Sequence, residues 1–192
     1  MPDSENIQAK LVDIWRERPK IADRDTKFGG DVCCRIVKKF LEAEICPKFR
    51  VTEPNSYIRG ARTEFDLLVI QRKAQAIRYT CAFCPQDVLC AVEVKARAPG
   101  FGAKKGLGKE FARLRERFAA AKREFRHLAL VMFIFEAQTP KSKSAINYLD
   151  RTKKAMKPFP VFCMAKRTGE LMEGQWQEFV QYVRKCCERR RA

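Results

Sequence analysis

Three charged side chains stand inside or at the end of apolar runs, where a charge is costly. Asp66 lies within the run at residues 65–70, and Glu93 and Lys95 close the run at residues 88–92. A buried carboxylate or ammonium costs free energy unless it is paired or binds a metal. Side chains alternate along a strand, so Glu93 and Lys95 point to the same side. If the Asp66 strand is a neighbour, two carboxylates and one lysine converge, which is the minimal equipment for metal-assisted phosphodiester hydrolysis.

The elements that must position these residues follow from the apolar patterns. Short β-rich runs predict strands at residues 49–53, 65–70, 76–81, 88–94, 128–135 and 160–164. Helical spacing predicts helices at residues 4–18, 31–46, 107–125, 142–156 and 171–187. Pro19 is expected to end the first helix, and Pro47 to close the second. This order implies an α/β fold in which a mixed central β-sheet is flanked by helices.

Length and composition set the class of protein. The 192 residues fit one domain, residues 1–192, with its core at about residues 28–136 and helices 4–18 and 171–187 added to it. The longest apolar run, residues 128–135, is too short to span a bilayer, and the first 20 residues contain no hydrophobic segment, so we expect a cytoplasmic protein with no membrane partner. An odd number of cysteines, nine, favours reduced thiols over a disulfide framework.

The charge balance points to a polyanionic partner. The formal net charge is +17, and nucleic acid, most simply DNA, is the partner that such an excess favours. Between residues 101 and 126 there are nine basic and three acidic residues. This segment could track a phosphate backbone; the alternative is the solvated face of a helix. The candidate nucleic-acid contacts are Arg62, Lys104, Lys105, Lys109, Arg113 and Arg117.

The order of these features matches a known family. An acidic residue in one strand is followed by Glu-x-Lys at the end of another, then by a basic helix and a further apolar strand. Over residues 31–135 the chain resembles the PD-(D/E)xK nuclease superfamily, which includes many restriction endonucleases and junction resolvases. The resemblance implies a restriction-endonuclease-like fold, with Asp66 and Glu93 at the acidic positions and Lys95 as the lysine. Phe65 stands where the proline that names the motif is expected.

The resemblance also implies a mechanism, which the residue chemistry supports. Mg²⁺ prefers oxygen ligands, so Asp66, Glu93 and the backbone carbonyl of Val94 would suffice to hold it, with Mn²⁺ as a substitute. The metal would lower the pKa of a bound water and offset charge on the scissile phosphate. Lys95 would orient or help to deprotonate that water and stabilise the developing negative charge. The alternative is a plain ion pair of Glu93 with Lys95, while Asp66 caps a turn.

A third acidic ligand stays open at this point. Many members of the superfamily carry a glutamate on the helix that precedes the sheet, but the expected face holds Cys34 here. The acidic candidates on that helix and on the Asp66 strand are Asp31, Glu42, Glu44 and Glu64.

The sequence therefore predicts a Mg²⁺-dependent endonuclease that hydrolyses DNA. The alternatives are a catalytically inactive relative that binds nucleic acid and a module whose basic face serves protein assembly. Whether the chain forms a homodimer, and whether its substrate is duplex, branched, single-stranded or RNA, is left open by the residues.

Overall fold

The computed structural model of the chain describes residues 4–22, 26–78, 80–97, 109–137, 145–166 and 170–189. Within these ranges the helices are α1 (Ser4–Ala22), α2 (Thr26–Ile45), α3 (Lys109–Glu124), α4 (Ala145–Met156) and α5 (Gln175–Glu188). The strands are β1 (Phe49–Val51), β2 (Ser56–Ile58), β3 (Glu64–Phe65), β4 (Leu67–Gln71), β5 (Ala82–Phe83), β6 (Val88–Arg97), β7 (Ala129–Ala137) and β8 (Val161–Lys166). None of the helices in these ranges is long and apolar enough to cross a membrane.

The larger of the two sheets has five strands in the order β1-β4-β6-β7-β8. β4 is antiparallel to both of its neighbours, whereas β6, β7 and β8 are parallel. Parallel neighbours require a crossover, and α3 and α4 lie in the two crossovers. A small second sheet has the order β3-β2-β5. The predicted α/β fold, a mixed central sheet with flanking helices, is confirmed.

Both faces of the large sheet are covered, and for this reason its central strands have continuous apolar runs. On one face Val92 and Phe133 belong to the core that includes residues of α1, α2 and α5. On the other face Met132 and Ile134 pack with residues of α3 and α4. Full burial of a side chain of this size contributes about 1.5–3 kcal/mol. Because neighbouring side chains alternate, Glu93 lies on the face covered by α3 and α4.

A buried glutamine connects the N-terminal helix α1 to β8 and to the start of α5 through hydrogen bonds. The Gln8 side chain is 3% exposed and donates from Nε2 to the carbonyl oxygens of Met164 (2.8 Å) and Met172 (2.7 Å). Its Oε1 accepts from the backbone N–H of Trp176 at 3.3 Å. One side chain on α1 thus satisfies backbone groups of β8, the loop that follows it, and the first turn of α5.

Several helix boundaries differ from the predictions. α1 continues through Pro19 to Ala22, although a proline in a helix interior removes one hydrogen bond and its ring clashes with the carbonyl four residues earlier. α2 begins at Thr26, ahead of the predicted start at Asp31, and includes two glycines that each cost about 1 kcal/mol relative to alanine. α5 begins at Gln175 instead of residue 171, since Gly174 has a φ of 71° and Leu171 bridges to Ala165.

The strands of the small sheet were not predicted correctly. Residues 76–78, 80 and 81 lie outside any strand, so the strand predicted at 76–81 is wrong, and β5 follows at Ala82–Phe83. β2 was missed entirely. It is three residues long and pairs antiparallel with β3 and parallel with β5. Elements this short carry too few residues for periodicity to be visible, and pairing with neighbours stabilises them.

Candidate active site

Asp66 occupies a bend between β3 and β4, so the strand predicted at residues 65–70 is interrupted at this residue. The antiparallel ladder of β4 with β6 pairs Leu67 with Val92. One residue further, the Asp66 Oδ2 atom accepts a hydrogen bond from the backbone N–H of Val94 at 2.7 Å. The carboxylate therefore accepts the hydrogen bond that a backbone carbonyl of a neighbouring strand would otherwise accept. It lies against the segment of β6 that carries Glu93.

Glu93 is the most deeply buried carboxylate of the site, with 3% of its side chain exposed. Its Oε1 atom lies 2.9 Å from Lys95 Nζ, two residues along the same strand face. Its Oε2 atom accepts a hydrogen bond from Arg117 Nη2, which reaches over from α3. The structure thus brings Asp66, Glu93 and Lys95 together, and it adds Arg117 to them.

The electrostatics of the site follow from this crowding. Burial and then the negative charge of Glu93 raise the pKa of Asp66 from its ordinary value of 3.8 to about 6. The hydrogen bond from Val94 and the charges of Lys95 and Arg117 act in the opposite direction. A carboxyl group with a raised pKa and a neighbouring carboxylate is a signature of functional sites, because a cation between the two groups would relieve their repulsion.

The donor set fits a hard divalent cation. Asp66 and Glu93 supply carboxylate oxygens, the ligands that Mg²⁺ prefers. In a strand the N–H and C=O of one residue point to the same edge, so the carbonyl of Val94 faces the Asp66 edge together with its N–H. Within the described ranges no group of three His, Cys, Asp or Glu side chains is close enough to share a metal ion. The cation would thus be coordinated by two carboxylates, the carbonyl of Val94 and water.

Of the four candidates for a third acid, Asp31 is the one linked to Asp66 through hydrogen bonds, although it does not come close enough to share a metal ion with Asp66 and Glu93. Its Oδ1 atom accepts a hydrogen bond from Asn55 Nδ2 (3.3 Å), and the backbone N–H of Asn55 donates to the carbonyl of Asp66 (3.2 Å). Cys34, one turn along α2, faces the same region. Burial, with the charges of Asp66, Cys33, Asp31 and Glu93, raises the pKa of its thiol. The N-terminal half of α2 therefore approaches the site.

The other three candidates are held elsewhere. Glu42, about three turns further along α2 than Asp31, accepts hydrogen bonds from the backbone of Val51 and from Lys38. Glu44 pairs with Arg184 of α5, and Glu64 accepts a hydrogen bond from the Tyr57 hydroxyl on the small sheet.

The predicted nucleic-acid contacts fall into three groups. Lys104 and Lys105 lie outside the described residues, and Lys109 is the first residue of α3. Arg62 and Arg113 are exposed, Arg62 between β2 and β3 and Arg113 one helical turn before Arg117. Arg117 itself turns inward to Glu93, while its Nε atom is buried without a hydrogen-bond partner in the described part of the chain.

Sequence reasoning missed two further residues beside the site. Arg97 lies two residues beyond Lys95 on the same face of β6, and Glu136 lies opposite it on β7. The spacing of Glu93, Lys95 and Arg97, every second residue of one strand, could have predicted that Arg97 lies on the same face as the other two. Glu136 was not predicted because the apolar run that marked the strand stops at residue 135, one residue earlier.

The sheet order and the flanking helices define the class first: the chain has a nuclease-like α/β fold. Two solved structures share it. The cAAA-bound form of NucC from E. coli MS115-1 superposes with a TM-score of 0.65 at 8% sequence identity, covering 95% of this chain and 88% of that chain. The cAAA-bound form of NucC from P. aeruginosa ATCC27853 gives 0.63 at 10% identity, covering 97% and 92%.

Sequence comparison adds nothing to this likeness. No protein-family pattern matches the chain, and no curated protein matches it. At identities of 8% and 10%, the two superpositions show a common fold.

Proposed function

We propose that this protein is a Mg²⁺-dependent endonuclease that hydrolyses phosphodiester bonds in DNA. The observation that carries the proposal is the convergence of two carboxylates, buried Glu93 and half-buried Asp66, beside a lysine. Asp66 is fixed there by the N–H of Val94, and Glu93 is fixed by Lys95 and Arg117. A plain structural ion pair would explain Glu93 and Lys95, but it leaves the second carboxylate, with its raised pKa, without a purpose.

Each residue has a role that its position supports. Asp66, Glu93 and the Val94 carbonyl would hold the metal, which when bound supplies an acidified water and charge compensation at the phosphate. Lys95 keeps 26% of its side chain exposed, enough to reach a water or a phosphate oxygen from its place beside Glu93. Its ammonium would orient the attacking water and stabilise charge that develops on the phosphate.

Arg117 would change partners during the reaction. Its Nη2 atom donates to Glu93 and offsets the charge of that carboxylate, and its Nε atom has no partner in the described ranges. A cation that binds Glu93 would take over that neutralisation. The guanidinium would then be available for a phosphate oxygen, which it can hold through two parallel hydrogen bonds.

DNA as the substrate is supported by charge. The net charge of +17 favours a polyphosphate, and Arg62 and Arg113 are exposed on the segments that lead to the site. Lys104, Lys105 and Lys109 stand in the sequence between β6 and the body of α3, where they would extend this basic surface.

The test is a cleavage assay of the purified protein beside a gel-shift titration. Supercoiled plasmid and branched DNA are incubated with Mg²⁺, with Mn²⁺ and with a chelator. We expect metal-dependent nicking that is abolished in Asp66→Ala and Glu93→Ala through loss of metal binding. Lys95→Ala should stop the chemistry while metal binding is nearly intact, and DNA binding should survive in all three variants.

Glu188→Ala, which alters an exposed acid at the end of α5, is the matched control and should cleave like the wild type. Full activity in Lys95→Ala would contradict the mechanism. A wild-type protein that binds DNA but cleaves no DNA or RNA form with either metal would instead be a catalytically inactive nucleic-acid-binding relative.

A further inference from the structure

A second buried acid lies beside the proposed site without belonging to it. Glu136 is 7% exposed, near the end of β7, and its register partner across the parallel ladder is Arg97 of β6. Its Oε2 atom lies 3.4 Å from Arg97 Nε. An ion pair with one partner largely exposed is weak evidence for stability, because solvent screens it. The pair is therefore better explained by what it holds in place.

Arg97 continues the line of charged groups on one face of β6. Glu93, Lys95 and Arg97 are every second residue of β6, so all three lie on the same face of the strand. The distance from one to the next along β6 is about 6.6 Å, twice the rise per residue of a strand. Opposite Lys95 on β7 stands Ile134, an apolar residue. Arg97 is thus the next cation beyond Lys95, and Glu136 is its acidic neighbour across the ladder.

The exposure and the orientation of Arg97 suit a ligand from solvent. Its side chain is 58% exposed, whereas that of Glu136 is 10% exposed. The ion pair runs through Nε, the guanidinium nitrogen nearest the backbone, and does not need the two terminal nitrogens. A guanidinium that is largely exposed and paired through Nε leaves its terminal nitrogens for a phosphate group, which it can bind through two hydrogen bonds.

We infer that Arg97 binds a phosphate next to the scissile one, and that Glu136 is the positioning residue that holds its guanidinium. This inference rests on the proposed phosphodiesterase function. Since one step along the strand face is comparable to the separation of adjacent phosphates, a backbone lying along β6 would place one phosphate at Lys95 and the next at Arg97. The substrate class is therefore a polynucleotide with an additional phosphate beside the cleaved bond.

The experiment compares Arg97→Gln, Arg97→Lys and Glu136→Gln with the wild type. Arg189→Gln, which removes an exposed arginine directly after α5, is the matched control. DNA affinity is measured over a range of salt concentrations with Ca²⁺ in place of Mg²⁺, and KM and kcat are measured separately with Mg²⁺. A thermal unfolding scan of each variant verifies that it is folded.

We expect Arg97→Gln to raise the dissociation constant and KM about ten-fold with kcat little changed, as for the loss of one charged hydrogen-bonding contact. The slope of log affinity against log salt should fall by about one phosphate equivalent. Arg97→Lys should recover the salt slope and only part of the affinity. Glu136→Gln should raise KM about three-fold, and should add nothing in the Arg97→Gln background, because it acts through Arg97.

The inference is overturned if Arg97→Gln matches Arg189→Gln in salt slope and KM, or if its loss falls on kcat alone. Failure of the proposed function gives a different result, since a wild type that binds but never cleaves still reports on Arg97 through affinity and salt slope. A wild type that does not bind DNA at all overturns the inference as well. If Glu136→Gln does not fold, the two Arg97 variants decide.

Discussion

At the scale of single residues, Asp66 is the group whose state should change with pH. Its pKa is raised from 3.8 to about 6, first by burial and then by Glu93. A raised carboxyl pKa means that the folded protein prefers the protonated acid. The stability contributed by protonated Asp66 is therefore complete below about pH 4 and is lost as the pH rises through about 6.

We accordingly expect the metal-free protein to lose unfolding free energy between pH 4 and pH 7, at about 1.4 kcal/mol for each unit of pKa shift. Affinity for Mg²⁺ should change in the opposite direction and rise through about pH 6, because the cation needs the ionised acid. Urea unfolding in chelator and metal titration, each as a function of pH, measure the two effects. Asp66→Asn, which cannot titrate, should show neither the pH dependence of stability nor that of Mg²⁺ affinity. A wild-type-like pH dependence in that variant would mean that another group causes the effect.

Arg117 gives a second prediction at this scale. Removing its guanidinium in Arg117→Ala leaves the buried Glu93 with Lys95 alone, so the metal-free protein should lose about 1–2 kcal/mol of stability. Affinity for Mg²⁺ should increase several-fold, since a competing cation has gone, while the cleavage rate should fall.

Calorimetric titration with Mg²⁺ tests the expected gain in metal affinity, and thermal unfolding in chelator tests the expected loss of stability. Arg113→Ala, one turn earlier on the exposed side of α3, should alter neither quantity. Unchanged metal affinity in Arg117→Ala would mean that Arg117 does not compete for Glu93.

At the scale of elements, the sequence was informative where burial is two-sided. The runs at residues 88–94 and 128–135 predicted β6 and β7, and with them the alternation that puts Glu93 and Lys95 on one face. The sequence was uninformative where a short strand is stabilised mainly by pairing with its neighbours. β2 and β5 have three and two residues and exist through pairing with each other and β3.

The site was predictable to the same extent. The trio could be named from residue types inside apolar runs, but the bend at Asp66 and its bond to Val94 depend on where the β4–β6 ladder stops. Arg117 could be assigned only to a basic helix. Which of its charges turns inward is decided by how α3 packs on the sheet, and sequence spacing does not contain that information.

Gln8 provides the prediction for α1. Gln8→Ala would leave buried backbone groups of Met164, Met172 and Trp176 without their partner. Each unsatisfied group costs about 1–3 kcal/mol, so we expect a loss of at least about 2 kcal/mol in urea unfolding. Gln181→Ala, an exposed position on α5, is the control. A loss no larger than that of the control would show that α1 is held by its apolar face alone.

At the scale of the whole molecule, the charge of +17 sets how the protein should respond to salt. DNA affinity should fall steeply as salt is added, because bound lysines and arginines release condensed counterions. Neutralising Lys104, Lys105 and Lys109 together should weaken binding to all sequences about equally, since phosphate contacts carry no base information. Gel-shift titrations over a salt series test this, and an unchanged slope in the triple variant would remove these lysines from the binding surface.

The hydrogen bond between Asp66 and the Val94 amide has a spectroscopic consequence. The amide proton belongs to the backbone of β6, yet its acceptor is the carboxylate that would ligate the cation. Any event at that carboxylate, a proton arriving or a metal binding, alters the shielding of the proton at Val94. Its NMR resonance should therefore move with the ionisation of Asp66 and again on addition of Mg²⁺, giving an internal probe of site occupancy that needs neither substrate nor turnover.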